Sequence, residues 1–347
     1  MQRWLVTAAI ALLLCTGFTV SASASSVSHP EKYSTYIKEE GIDVSAWNGI
    51  INWFAVKNAG MDFVFLRAGG VFYNSGVFYE DETFERNLLG AQTAGIDTGI
   101  YFYSQAISEE EAVKEAEYVL DILDGRKLQM PIVFDFEYAG NGREGRLYNA
   151  HLSARKQTDI CMAFCRTIEE AGYDAMVYGN AYMLWHRLYG NELKDAYGVW
   201  LAEYHWNGAT AKYLGEYDIW QYTQYGTAAG ISGYTDLNYR YIKPVLEIKE
   251  EWNRRMMLKW NEDRSCDGYH VFRKTPDEEA YTYLGRNNDS SITSWIDRDV
   301  RRGDMYIYKV VPYVVGEDGL RYEKKTIYGP LETEVSRAYW TNLEFIR

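Results

Sequence analysis

The stretch Pro131-Ile132-Val133-Phe134-Asp135-Phe136-Glu137-Tyr138-Ala139-Gly140 decides how the chain reads. Ile132, Val133, Phe134 and Phe136 make a short, nearly continuous apolar run, which suits a strand buried on both faces. Two acids interrupt it, Asp135 and Glu137. Residues two apart on a strand point to the same side, so both carboxylates face one space. Two like charges in a shaded site raise the proton affinity of at least one of them. A protonated acid beside an ionised one suits cleavage of a glycosidic bond. The bland alternative is a strand ending at a solvated loop with two surface acids, and the surrounding chain decides between them.

Upstream, strands and helices alternate. Gly41-Ile42-Asp43-Val44-Ser45 reads as a first strand, ending in the turn-like Ala46-Trp47-Asn48-Gly49. Phe63 to Ala68 and Thr98 to Tyr103 are further apolar strands, with helical spacing over Thr83 to Ala94 between them. Ser108 with Glu111 three residues on is a capping box that opens a helix. Downstream, Ser153 to Ala171 is helical, with Ile160, Phe164 and Ile168 in register. Ala175 to Tyr178, Tyr197 to Ala202, Ile219 to Tyr222 and Thr235 to Asn238 read as strands, the last three with little helix between them. This alternation predicts an α/β fold, a sheet closing into an irregular TIM-like (β/α) barrel. In such barrels working residues gather where the strands end. Asp43, Asp135, Glu137 and Asp236 would then share one mouth, and closure would make the first and last strands neighbours. Lys243-Pro244 marks a boundary. Beyond it helical periodicity disappears, and strands such as Met256 to Trp260 and Tyr306 to Val311 predict a small all-β sandwich.

Length and composition set the outer bounds. The chain has 347 residues, which suits one large and one small domain. Hydrophobic residues make up 47%, enough for a sizeable core. Tyr is abundant at 31 residues, and tyrosine surfaces suit sugars or peptides. The net charge of −13 argues against nucleic acid or an anionic membrane as partner. Arg3, the apolar run Val6 to Val20 and the small residues Ala22-Ser23-Ala24 form a secretory signal over residues 1–24. The mature chain is therefore expected to be secreted, extracellular or wall-associated, without a membrane span, and monomeric. Cys161 and Cys165 are spaced i, i+4 on a helix, which suits two small buried residues better than a disulfide. No paired-ligand, Walker or GxGxxG pattern occurs, so neither metal nor cofactor is expected.

Five pieces in order carry a resemblance: GIDVSAWNG at Gly41–Gly49, PIVFDFE at Pro131–Glu137, VWLAEY at Val199–Tyr204, DIWQYT at Asp218–Thr223 and GISGYTDLN at Gly230–Asn238. Residues 36–243 resemble the lysozymes, or muramidases, of glycoside hydrolase family 25. Residues 246–336 resemble, more loosely, a fibronectin type III module, through Trp260, Tyr269, Tyr308 and the Gly303 turn. The first resemblance implies hydrolysis of the β-1,4 bond between N-acetylmuramic acid and N-acetylglucosamine, with peptidoglycan glycan strands as partner. Position by position it implies Glu137 as general acid and Asp135, Asp236 and Asp43 as assisting carboxylates. Asp135 and Asp236 are expected to be ionised, with Asp43 tuning its neighbours. The attack comes either from the substrate's own acetamido oxygen or from water. The third strand departs from the family pattern, reading Tyr101-Phe102-Tyr103-Ser104 where an aromatic pair with His is commoner.

Tyr101, Tyr178, Trp200, Tyr204 and Trp220 are candidates for stacking on sugar faces, with core aromatics as the competing reading. Two other functions stay open: a non-catalytic wall-binding protein, and a barrel glycosidase acting on another N-acetylated glycan such as chitin.

Overall fold

The computed structural model describes residues 27–335, apart from 141, 206–207 and 252–254. The expected signal over residues 1–24 lies outside the described residues. The first sheet contains β1 (Ile37–Val44), β2 (Phe63–Val71), β3 (Phe78–Glu80), β4 (Asp97–Tyr103), β5 (Ile132–Asp135), β6 (Ala175–Asn180), β7 (Gly198–Ala202), β8 (Ile219–Gly226) and β9 (Thr235–Ile242). Its order runs β1-β9-β8-β7-β6-β5-β4-β2, and β2 pairs back onto β1, so eight strands close into a barrel. β3 only extends β2 as a hairpin. The fold is mixed α/β, as the alternation predicts.

One direction departs from a regular parallel barrel. β9 runs antiparallel to both β8 and β1. A parallel return needs a crossover of a dozen or more residues, and the short stretch between Gly226 and Thr235 does not provide one. The reversal brings the start of β9 to the end of the barrel where the parallel strands finish. Asp236 therefore pairs in register with Asp43 across β1 and β9.

Helices cover the outside. α1 (Trp53–Asn58), α2 (Phe84–Thr93), α3 (Glu109–Leu123), α4 (Gly145–Asn149) and α5 (Ala154–Glu170) lie between the earlier strands. Short α6 (Ala181–His186) and α7 (Gly190–Ala196) precede β7, and no described helix lies between β7, β8 and β9. Ser108 caps α3 by accepting from the Glu111 N–H, and Ser153 caps α5 from Lys156, each worth about 1 kcal/mol. Cys161 and Cys165 are free and buried on α5, packed among Ile160, Phe164 and Ile168.

Strand alternation separates two apolar layers. Phe63, Phe65, Val133, Met176, Trp200 and Ile219 fill the barrel interior. Val64, Leu66, Phe102, Phe134, Leu201 and Trp220 face outward against the helices. Glycines give the interior rings their room: a Cβ on Gly41 would meet the Phe63 ring at 2.5 Å, and one on Gly99 the Phe65 ring at 2.4 Å.

The C-terminal strands are β10 (Leu246–Glu251), β11 (Arg255–Trp260), β12 (Gly268–Lys274), β13 (Thr282–Asn287), β14 (Ser294–Asp297), β15 (Met305–Val315), β16 (Arg321–Glu323) and β17 (Tyr328–Glu334). They form two antiparallel sheets, β10-β11-β14 and β13-β12-β15-β16, with β17 paired to β15. Leu258 and Trp260 from the first sheet share a core with Tyr269, Val271, Tyr308 and Val310 from the second. Ile37, at the start of β1, is 1% exposed and belongs to this same core. Beside it Arg264 reaches Asp97 at 2.8 Å, and Arg240 reaches buried Glu39 at 3.2 Å. The sandwich thus packs under the end of the barrel away from the mouth. Ile37→Ala is expected to destabilise the chain by about 2–5 kcal/mol in urea denaturation. An unchanged unfolding midpoint would refute the shared packing.

Candidate active site

Local forces aim the acids before any pairwise chemistry begins. On β5 the period of two sends Val133 and Asp135 inward and Ile132 and Phe134 outward. Glu137 continues the inward line just past the strand. Its main chain is held from below by Gln105, whose side-chain N–H donates to the Glu137 carbonyl at 3.2 Å and to the Ser104 carbonyl at 2.8 Å. The following loop is tied down by Arg146. That guanidinium grips Glu111 of α3 with bonds of 2.8 and 2.9 Å and donates to the Gln105 carbonyl at 3.3 Å.

The mouth opens into a cavity of ≈ 1030 Å³ lined by Asp43, Asp135, Glu137 and Asp236 together. Tyr101, Tyr178, Trp200 and Tyr204 line it as well. Trp220 does not, which corrects the sequence expectation. It alternates with inward Ile219 and Gln221 on β8, so it points outward into the layer beneath the helices. It is fully buried there, and its indole N–H donates to the Glu203 carbonyl at 2.8 Å. Trp200 reaches the cavity as floor, not as an open platform. It is 2% exposed, stacks on Phe65 with centroids 4.6 Å apart and meets the edge of Tyr178. Tyr204, at 40% exposed, offers the most open ring of the five candidates.

Asp43 is the best-solvated acid by protein groups. Its Oδ2 accepts from the amides of Gln221 and Asn238, both at 2.8 Å. Each donor is itself oriented. Tyr178 and Tyr204 donate to the Gln221 side-chain oxygen, and the Trp200 indole donates to Asn238 Oδ1 at 2.9 Å. Burial raises the proton affinity of Asp43, and these donors pull it back, favouring its charged form. Asp236 opposite has its proton affinity raised first by burial and then by the charge of Asp43, to which it hydrogen-bonds. Burial thus raises the proton affinity of both members of the pair, and the hydrogen bonds oppose it at Asp43 while the charge of Asp43 adds to it at Asp236.

Asp135 has one oxygen, Oδ1, buried without any hydrogen-bond partner. Burial, then the charges of Glu137 and Asp43, push its proton affinity up, with Arg67 opposing. Glu137 is pushed up to about 7, by burial first and by Asp43 second. Sequence reasoning passed over Gln221, Asn238 and Gln105. The first two share the strand faces of Ile219 and Asp236, so the period of two could have found them. Gln105 lies after β4, where no periodicity points inward. Among the described residues no group of three or more His, Cys, Asp or Glu could hold a metal ion.

Residues 42–231 match the glycosyl hydrolases family 25. The chain belongs to that family. Lysozyme M1 of Streptomyces globisporus is 30% identical over 210 residues, covering 57% of this chain and 66% of that protein. The autolytic lysozyme of Clostridium acetobutylicum is 27% identical over 201 residues, covering 57% of this chain and 55% of that one. The chain thus spans less than two thirds of the length of either relative. A solved bacterial lysozyme from Streptomyces coelicolor is 26% identical, with 58% of this chain and 90% of that chain covered and a TM-score of 0.47.

Within this family-25 barrel, Asn238→Ala removes one donor from Asp43 and strands the Trp200 indole. A carboxyl-carbon NMR titration should show Asp43 binding its proton more tightly than in the parent. Stability should fall by about 1–3 kcal/mol from the orphaned donor. An Asp43 titration that does not move would show that the amide is not what holds the charge there.

Proposed function

We propose that this chain is a secreted lysozyme that hydrolyses the β-1,4 bond between N-acetylmuramic acid and N-acetylglucosamine in peptidoglycan. The observation that supports it most is the meeting of four carboxylates at one barrel mouth, with Asp43 accepting two amide hydrogen bonds and burial raising the proton affinity of Glu137. Family membership and the lysozyme names of the curated relatives point the same way.

Glu137 protonates the leaving glycosidic oxygen, because burial and the nearby charge keep its proton available near neutrality. Positive charge develops at the anomeric carbon as the bond breaks. The carboxylate charge held on Asp43 and shared with Asp236 stabilises it, and so does Asp135 once ionised. Tyr101, Tyr178 and Tyr204 border the sugar-sized space and position the rings. Trp200 acts beneath them by holding Asn238. The barrel over residues 36–243 carries this chemistry. The sandwich over residues 246–336, fibronectin type III-like in our reading, supports the barrel from below. No described helix is long and apolar enough to cross a membrane, and we infer export through the signal over residues 1–24 and action as a monomer at the wall.

Glu137→Gln should lower peptidoglycan lysis by about 10²–10⁴-fold in a turbidity assay with reducing-end release. Wild-type-like lysis in that variant would refute the acid role. Mass spectrometry should find muramic acid at the reducing end of the products; N-acetylglucosamine there would point to another glycosidase specificity. The pH dependence has a definite sign. Folding raises the affinity of Glu137 for its proton, so the working acid is present at low pH and lost as pH rises through about 7. The same shift means that ionised Glu137 burdens the fold above that pH. Glu137→Gln should therefore melt no lower than the parent at pH 8, as measured by thermal unfolding, while its activity is gone.

A further inference from the structure

Arg143 stands on the cleft wall formed by the loop that follows Glu137. It lines the cavity, its side chain is exposed, and among the described residues no carboxylate pairs with it. The charges acting on Glu137 do not include it. The other arginine of the cavity, Arg67, is already committed. Its Nε donates to Asp81 at 2.8 Å, and Asp81 is itself fixed by the N–H groups of Ala46 and Thr83. The loop bearing Arg143 is not a loose tail. Ala139 and Glu144 form a bridge across it, Gly142 donates to the Ala139 carbonyl at 3.1 Å, and Arg146 anchors its far end on Glu111. The chain therefore carries an exposed guanidinium, unpaired with any carboxylate among the described residues, on a tethered part of the rim above the four acids.

A neutral sugar polymer gives that group nothing to neutralise, whereas a ligand carboxylate set at the rim does. A guanidinium matches a carboxylate with two parallel hydrogen bonds. We propose that Arg143 is a carboxylate-binding subsite that selects glycan strands carrying acidic stem peptides over neutral or neutralised glycan. This rests on the muramidase reading and extends it from the bond cleaved to the substituent recognised. The subsite works by orienting and retaining substrate at the rim, so its effect falls mainly on KM.

The experiment compares two substrates: peptidoglycan strands with their native acidic stems, and the same strands with the stem carboxylates amidated. Reducing-end release is measured for the parent, Arg143→Ala and Arg143→Lys. The parent should favour the acidic form by about three- to tenfold in kcat/KM at low salt, and high salt should shrink that ratio by screening. In Arg143→Ala the ratio should fall to near one. Arg143→Lys should keep part of it, as a point charge without the planar fork. A parent without preference, or an alanine variant that keeps the parent's ratio, overturns the subsite. A parent that cleaves neither form overturns the muramidase reading instead.

Discussion

The structure depends on carboxylates being kept close together in a place that water reaches poorly. Asp43, Asp135, Glu137 and Asp236 share one cavity, and burial is the largest influence on the proton affinity of each. Left alone, such a cluster would simply neutralise itself. The barrel prevents that at one member only. Two amides aimed at Asp43 make it the charge that the others must answer to, and each amide is oriented by a hydroxyl or an indole behind it. Burial and that charge together raise the proton affinity of the neighbours. Acid and anion thus arise from unequal hydrogen bonding among similar side chains, not from different residue types.

Closure of the sheet makes this possible. Asp43 and Asp236 are nearly two hundred residues apart in sequence, yet they are register partners because β9 turns back antiparallel beside β1. Beneath them the interior rings of Phe63, Phe65 and Trp200 form a floor, fitted over glycines on β1 and β4. That floor excludes water from below and helps to raise the proton affinities above it. The same aromatic packing that stabilises the barrel therefore tunes its acids.

Much of this was legible in the chain. Acids inside apolar runs, at Asp43 and in Asp135-Phe136-Glu137, are costly enough that their positions signal a purpose. The alternation of strands and helices gave the barrel, and the loss of helical spacing after Pro244 gave the sandwich. What stayed hidden has a common cause. Strands buried on both faces lose the polar alternation that tells inside from outside, so Trp220 and Trp200 looked equivalent although only one faces the cavity. The direction of β9 was invisible for a similar reason, since a short strand reads alike either way. Gln105 and Arg146 act through main-chain carbonyls and a distant helix, contacts that leave no periodic trace. The two amide donors to Asp43 come from β8 and β9, which only the assembled barrel brings to it.

Ile37 opens the first barrel strand and is buried in the core of the C-terminal sandwich, with Glu39, Arg240, Arg264 and Asp97 closing the seam beside it. Units joined by an exposed linker can be exchanged by recombination with little effect on either partner. This joint forbids that economy. Any replacement for the C-terminal unit must also bury Ile37, so exchanging that unit alone would leave the first barrel strand with bare apolar surface.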